Sequence, residues 1–129
     1  MRLLVDTHVF LWFASDLPKL QSATRELLED GGNDVFVSVV SAWEIAIKQS
    51  VGKLDLPEPA ETWVPKVLKA TGLEVLAVDL RSVLRTRALP WHHRDPFDRL
   101  LVAQALEHRL TLCSKDTRLV DYAVPMVDA

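Results

Sequence analysis

The feature that most constrains this fold is the alternation of short apolar segments with helical patterns. Apolar segments occur at 2–5 (RLLV), 34–38 (DVFVS), 74–78 (EVLAV) and 110–113 (LTLC). Between them, apolar residues recur at the spacing of one helix face. Parallel strands need long crossover connections, and helices supply them. The alternation therefore predicts an α/β fold, a parallel-sheet α/β/α sandwich with helices on both faces.

Capping and turn residues predict the ends of several helices. Ser22 precedes the helical segment ATRELLED and Gly31 follows it. Gly52 is expected to end the helix of SAWEIAIKQSV, and Gly72 that of TWVPKVLKAT. Pro65 is expected in the first turn of this last helix, where its missing N–H removes no hydrogen bond.

The composition favours one globular domain. The chain has 129 residues, of which 49% are hydrophobic and 26% charged, as is typical of a single folded unit. The proline-containing stretch 53–61 predicts a loop, but the alternation continues on both sides of it, so 1–129 is predicted as a single domain. The only cysteine in the sequence, Cys113, is interpreted as a buried, unreactive thiol in a reducing compartment.

Charge and hydropathy limit the possible partners. No apolar segment approaches the roughly 18 residues needed to cross a bilayer, and MRLLVD is too short for the apolar region of a signal peptide. We therefore expect a cytoplasmic protein with no membrane partner. The net charge of −3 and the pI near 5.8 oppose broad adhesion to nucleic acid, so a polyanionic substrate would need a local basic patch or bound cations.

Four acidic residues stand where an α/β sheet binds ligands, at the carboxyl ends of its strands. They are Asp6 after the first segment, Glu44 in the helix after the second, Asp98 in the helix before the fourth, and Asp116 after the fourth. Each of three has a structural alternative that the sequence leaves open. Asp6 and Asp116 could cap a helix or turn, and Glu44 could form an exposed ion pair with Lys48.

The stretch HHRDPFDRLL (92–101) contains two aspartates, Asp95 and Asp98, for which the sequence predicts different roles. With Asp95 as the N-cap and Pro96 in the first helical position, Asp98 falls in the first turn. Asp98 shares its helix face with apolar residues at offsets of three, four and seven, so its carboxylate would need a partner. If the four acids converge, only a divalent cation would make their repulsion tolerable, and an all-oxygen set suits Mg²⁺ or Mn²⁺.

His92 and His93 do not predict a zinc site. They are adjacent, so their side chains diverge, and neither has a cysteine or histidine at ligand spacing. We expect for them a loop position or hydrogen bonding near the edge of the sheet.

Four segments taken in order, LLVDTHVFLW, SVVSAWEIAIKQSVGKL, HHRDPFDRLLVAQALEHRLTL and SKDTRL, resemble the PIN-domain family. Within that family they are similar to the VapC toxins of bacterial toxin–antitoxin pairs, over nearly the whole chain. The resemblance implies a magnesium-dependent endoribonuclease with three or four clustered acids. By motif, the catalytic and metal-binding residues would be Asp6, Glu44, Asp98 and Asp116. Asp95 competes with Asp98 for one metal position, and we interpret it as a helix cap near the site.

Further residues gain roles from this resemblance. Thr7 and Ser114 would hydrogen-bond metal ligands, although capping explains either equally well. The candidate RNA-binding cations are Lys48, Lys53, Arg94, Arg99 and Lys115, with solvated surface as the alternative for each.

The resemblance also implies two protein contacts, a homodimer and an antitoxin whose C-terminal segment covers the acidic site. The apolar stretch 9–13 exceeds what one buried helix face needs, so it is either enclosed or in contact with another protein. Trp12, Trp43 and Trp91 are candidate anchors, with core packing as their alternative.

Two other classes of protein remain open. A two-component receiver domain has this length, with Asp79 as the phosphate acceptor and Lys115 as its lysine. A PIN-like RNA-binding module without catalysis is the second. Formation of an aspartyl phosphate on Asp79 would favour the receiver, and RNA that is retained but never cut would favour the module.

Overall fold

Five strands form one parallel sheet in the computed structural model, which describes residues 1–129 apart from the side chain of Thr117. In chain order they are β1 (Arg2–Val5), β2 (Asp34–Ser38), β3 (Glu74–Leu76), β4 (Thr111–Ser114) and β5 (Met126–Asp128). Their order across the sheet is β3-β2-β1-β4-β5, and every neighbouring pair is parallel. The predicted parallel sheet is confirmed. β5 was not predicted, because its segment follows Pro125 and contains only two consecutive apolar residues before Asp128, too few to show a strand pattern.

Helices connect the strands. The α-helices are α1 (Thr7–Ala14), α2 (Ser22–Glu29), α3 (Val39–Ser50), α4 (Ala60–Thr71), α5 (Leu80–Arg85) and α6 (Pro96–His108). Short 3₁₀ turns cover Thr86–Ala88 and Thr117–Asp121.

The sheet separates two apolar cores. In β1, Leu3 and Val5 belong to the core that α1, α2 and α4 cover, while Leu4 belongs to the core that α6 covers. Successive residues of a strand point to opposite faces, so β1 is buried on both sides. Burial of each such side chain contributes about 1.5–3 kcal/mol. β1 is therefore a fixed central strand, and the residue that follows it is held at the middle of the sheet edge.

Two predicted helix ends are confirmed and one helix start is corrected. Gly72 ends α4 with φ 74°, and Gly52 follows α3 with φ 76°, both in the left-handed region that favours glycine. Pro65 lies inside α4 rather than in its first turn. The helix starts earlier than predicted because Gln49 Oε1 accepts the Ala60 N–H at 2.8 Å, a cap from a residue distant in sequence.

Two expectations from composition can be compared with the fold. Cys113 is fully buried in β4, and burial raises the pKa of its thiol to about 12, which confirms an unreactive cysteine. Across the part of the chain that the structure describes, no helix combines the length and the apolar character that a bilayer crossing requires.

Candidate active site

Asp6 lies at the carboxyl end of β1 and has two structural roles. Its Oδ1 accepts the Val9 N–H at 2.8 Å, so it is the N-cap of α1. Its Oδ2 accepts a hydrogen bond from the Ser114 hydroxyl at the end of β4. The residue is buried, and burial raises the pKa of its carboxyl despite these hydrogen bonds. Asp6 is thus both the N-cap of α1 and an acid at the carboxyl edge of the sheet.

Glu44 lies next to Asp6, on the buried side of α3. Its Oε1 accepts a hydrogen bond from the Thr7 hydroxyl at 2.7 Å, and its Oε2 lies 2.6 Å from Lys48 Nζ. The ion pair that we considered as an alternative is present, but the glutamate is buried rather than exposed. Thr7 follows Asp6 directly, so β1 and α3 are tied together at the site.

Asp98 is the acid of α6 that faces the cluster. Asp95 is the N-cap of this helix, where its Oδ1 accepts the Phe97 N–H at 2.8 Å. The pKa of Asp98 rises to about 7, chiefly through burial, with the charges of Asp95, Asp6 and Glu44 adding to the rise. Asp98 Oδ2 also lies 3.1 Å from His93 Nε2, a contact described below.

Asp116 follows β4, and its surroundings shift its pKa in the opposite direction to that of Asp98. Its Oδ1 accepts the Arg118 backbone N–H at 2.9 Å, and its Oδ2 lies 2.9 Å from a guanidinium nitrogen of the same residue. The hydrogen bonds from Arg118 lower the pKa of Asp116 to about 2. Asp116 and Asp6 line one surface cavity of about 260 Å³, together with Lys115. Asp116 is therefore ionised and lies beside the first acid.

His93, Asp98 and Asp116 each have one potential metal-ligand atom, and these three atoms lie within 4.8 Å of one another. The structure thus brings all four predicted acids to one edge of the sheet, on which Asp6 and Glu44 form the inner part. Their carboxylate oxygens are ligands that Mg²⁺ and Mn²⁺ prefer. The raised pKa values of Asp6 and Asp98 reflect carboxyl groups crowded out of water, a condition that a divalent cation relieves. The residues present therefore fit such a cation.

Sequence reasoning gave no site role to two residues that contact these acids. His93 was expected only to hydrogen-bond near the sheet edge, and it does so with Asp98 and Asp116. Arg118 was not considered, although its position two residues after Asp116 in SKDTR was the available signal.

The candidate RNA-binding cations divide into three groups. Lys53, Arg94 and Lys115 are exposed, and Lys48 is half-exposed and paired with Glu44. Our expectation of an exposed Arg99 is wrong, because its side chain is buried at 4% exposure. Its guanidinium binds backbone carbonyl groups, so it lies outside any RNA-binding surface.

The candidate anchor residues also differ in exposure. Trp43 is 59% and Trp91 74% exposed, so core packing does not account for either. Trp12 is half-buried against the first core, and the rest of the 9–13 stretch is buried or half-buried in the same way.

The strand order and the acids clustered at the carboxyl edge of the sheet place this chain in the class of α/β domains with an acidic candidate site. Within that class the chain belongs to the PIN domain family, whose model matches residues 3–125. The resemblance seen in the sequence is thereby confirmed.

Relatives and solved structures agree with this assignment. The chain is 28% identical over 123 residues to Ribonuclease VapC22 of Mycobacterium tuberculosis, covering 95% of this chain and 92% of that protein. It is 40% identical over 65 residues to Ribonuclease VapC16 of the same organism, covering 50% of this chain and 46% of that protein, so the match spans about half the length of that relative.

The fold resembles a chain of VapBC2 from Rickettsia felis bound to a promoter DNA fragment, with a TM-score of 0.75, 15% identity, and coverage of 100% and 99% of the two chains. A chain of the toxin–antitoxin complex VapBC-5 from Mycobacterium tuberculosis gives a TM-score of 0.64, 17% identity, and coverage of 99% and 98%.

The receiver-domain alternative does not agree with the fold. Receiver-like sheets have the strand order 2-1-3-4-5, whereas this sheet has the order 3-2-1-4-5. Asp79, the residue that would accept phosphate, caps α5 and is hydrogen-bonded to Ser82 and His108. These contacts hold it as a structural residue.

Proposed function

We propose that this protein is a divalent-metal-dependent endoribonuclease that acts as the toxin of a toxin–antitoxin pair. The observation that carries the proposal is the convergence of Asp6, Glu44, Asp98 and Asp116 at one sheet edge. Membership of the PIN domain family and the ribonuclease names of two relatives support the choice of RNA hydrolysis.

The four acids would hold Mg²⁺ or Mn²⁺. When bound, such an ion supplies a water of lowered pKa as the nucleophile and stabilises charge on the leaving oxygen of a phosphodiester. The chain's own residues orient the acids. The Ser114 hydroxyl fixes Asp6 and the Thr7 hydroxyl fixes Glu44, while Lys48 offsets part of the inner negative charge.

Exposed cations would attract the RNA backbone, and of these Lys115 lines the same cavity as Asp6 and Asp116. Lys53, Arg94 and Lys115 are the candidates that remain, with Lys48 in a shared role. Because the net charge is −3, the RNA would be held by this local patch together with the bound cation. Phosphate contacts of this kind hold the substrate without reading its sequence.

Two protein partners belong to the proposal. We infer an antitoxin that covers the acidic edge and a second copy of this chain, and the exposed Trp43 and Trp91 are suitable anchors for such contacts. The VapBC complexes that share this fold support a toxin–antitoxin assignment. An enzyme of this kind acts on RNA in the cytoplasm, which agrees with a free, buried cysteine.

The test is cleavage of a mixed pool of end-labelled RNA by the purified chain with Mg²⁺, Mn²⁺ or EDTA. We expect cleavage with either ion and none with EDTA. Asp34→Asn provides a matched control, because Asp34 is an exposed acid at the opposite end of β2. RNA that is bound but left intact under all metal conditions would contradict the proposal and favour a PIN-like binding module.

A further inference from the structure

His93 lies between two of the acids, from two different segments of the chain. Its Nε2 is 2.9 Å from Asp116 Oδ2 and 3.1 Å from Asp98 Oδ2. The side chain is buried, with a relative exposure of 3%. One imidazole nitrogen thus contacts the acid after β4 and the acid of α6 together.

The other ring nitrogen determines the state of the imidazole. His93 Nδ1 accepts the Asp95 backbone N–H at 3.0 Å, which requires a lone pair on Nδ1. The hydrogen-bond network therefore assigns the proton to Nε2. An Nε2–H group donates to both carboxylates, and it has no lone pair to offer a metal ion.

The backbone of His93 is fixed by a buried network. The His93 N–H donates to the Tyr122 hydroxyl at 3.1 Å, and a guanidinium nitrogen of Arg99 donates to the same oxygen at 3.2 Å. Arg99 also donates to the carbonyl groups of Thr86 and Pro90, each at 2.8 Å. The buried arginine thus holds the segment that leads from α5 to His93.

Trp91 completes this support on the solvent side. The Arg99 guanidinium carbon lies 3.7 Å from the centre of the Trp91 ring, a cation–π contact. A charged side chain with this many fixed partners has little freedom to move. The network therefore gives His93 a defined position before any ligand arrives.

We propose that His93 is a positioning residue that bridges Asp98 and Asp116 through Nε2–H and holds them at the spacing a divalent cation requires. It is not itself a metal ligand. The bridge offsets the repulsion between two carboxylates that would otherwise move apart, as hydrogen bonds to metal ligands do elsewhere. This inference rests on the proposed metal-dependent function, since it concerns the same site.

The first test measures Mn²⁺ affinity by calorimetry and electron paramagnetic resonance on metal-free protein. His93→Leu removes the donor, and we expect Mn²⁺ to bind about 10- to 100-fold more weakly. His93→Gln restores an N–H donor near the position of Nε2 and should recover much of the affinity. His108→Leu is the control, because His108 lies at the far end of α6 and contacts Asp79 rather than the acids of the site.

The second test determines which nitrogen of the His93 ring carries the proton and whether either nitrogen binds the metal. Nitrogen-15 spectra should show His93 protonated on Nε2 in metal-free protein and with Mg²⁺ bound. Electron spin echo spectra of the Mn²⁺ form should contain no nitrogen coupling that disappears in His93→Gln. Such a coupling would make His93 a ligand and overturn the proposal, as would unchanged Mn²⁺ affinity in a folded His93→Leu protein.

These outcomes separate the two proposals. A wild-type protein that binds Mn²⁺ with this dependence on His93 but cuts no RNA would overturn the ribonuclease and leave the positioning role. A protein that cuts RNA, yet binds Mn²⁺ equally well without the ring, would overturn the positioning role alone.

Discussion

The inner and outer parts of the acidic site are built differently. Asp6 and Glu44, the inner pair, are 4% and 3% exposed, and each is fixed by a hydroxyl group from a neighbouring strand end or helix. Asp98 and Asp116, the outer pair, have side chains 20% and 21% exposed. The outer pair is joined through His93 and shifted to opposite protonation tendencies, with pKa values of about 7 and about 2.

The difference shows which acids the fold itself positions. The inner pair follows from β1 and α3, whose packing is set by the two cores, so its geometry is as rigid as the sheet. The outer pair is instead held by the side chains of His93, from a loop, and Arg118, from a 3₁₀ turn. We therefore expect substitutions of the inner pair to affect chemistry with the fold unchanged, and substitutions around the outer pair to affect cation affinity and pH response.

The largest expected effect comes from the inner pair. Asp6→Asn should reduce RNA cleavage by more than about 100-fold, because losing a ligand exceeds the 10–100-fold cost of losing a residue that supports one. Asparagine still accepts the Val9 N–H, so the cap and the melting temperature should be nearly unchanged. Single-turnover cleavage and thermal melting check both parts, and activity at the level of Asp34→Asn would contradict the assignment of Asp6.

A smaller effect distinguishes the two aspartates of α6. Asp98→Asn removes a proposed ligand and should reduce cleavage by about 100-fold, whereas Asp95→Asn mainly alters the helix cap and should reduce it by less than about 10-fold. Asp95→Ala should instead lower the free energy of unfolding by about 1 kcal/mol, the usual cost of losing an N-cap. Parallel cleavage rates and urea unfolding measure the two effects. Equal rates in the two asparagine variants would show that Asp98 is the wrong choice.

The ion pair of the inner part provides a stability test. Lys48→Met leaves the buried Glu44 without its cation, and we expect a loss of about 1–2 kcal/mol in the free energy of unfolding. This is below the 3–5 kcal/mol typical of a fully buried pair, because the Lys48 side chain is 37% exposed. Urea unfolding without and with Mg²⁺ measures the effect. If the variant is as stable as wild type in EDTA, Lys48 does not balance the inner charge.

A further expected effect is a pH dependence of stability in metal-free protein. The pKa of Asp98 is about 7 in the folded chain, against an ordinary value of about 3.9. Between these values the folded chain retains a proton that the unfolded chain releases, so this group makes stability fall as pH rises from about 4 to about 7. Asp98→Asn should flatten that part of the curve measured by thermal melting in EDTA. An unchanged slope would place the titration on another group.

The sequence predicted the acids better than it predicted what surrounds them. Asp6, Glu44, Asp98 and Asp116 could be located because each stands at a fixed position relative to a strand or helix. The role of His93 and the burial of Arg99 could not be found in this way. Both depend on the segment 86–95 folding back over α6, and helix periodicity describes only the helix itself. The start of α4 was missed for a similar reason, since Gln49 caps it from another helix.

The contact between Arg118 and Asp116 has a consequence for how the outer part would open. Both carboxylate oxygens of Asp116 already accept hydrogen bonds from this arginine, whose side chain is 65% exposed and free to swing outward. Oδ2 of Asp116 accepts from both the Arg118 guanidinium and His93, so an outward swing of the arginine would leave that oxygen with only the His93 contact. The released guanidinium then stands at the mouth of the site, where a phosphate group would meet it. A single exchange of hydrogen-bond partners by Arg118 would thus expose Asp116 and place a cation against the substrate phosphate.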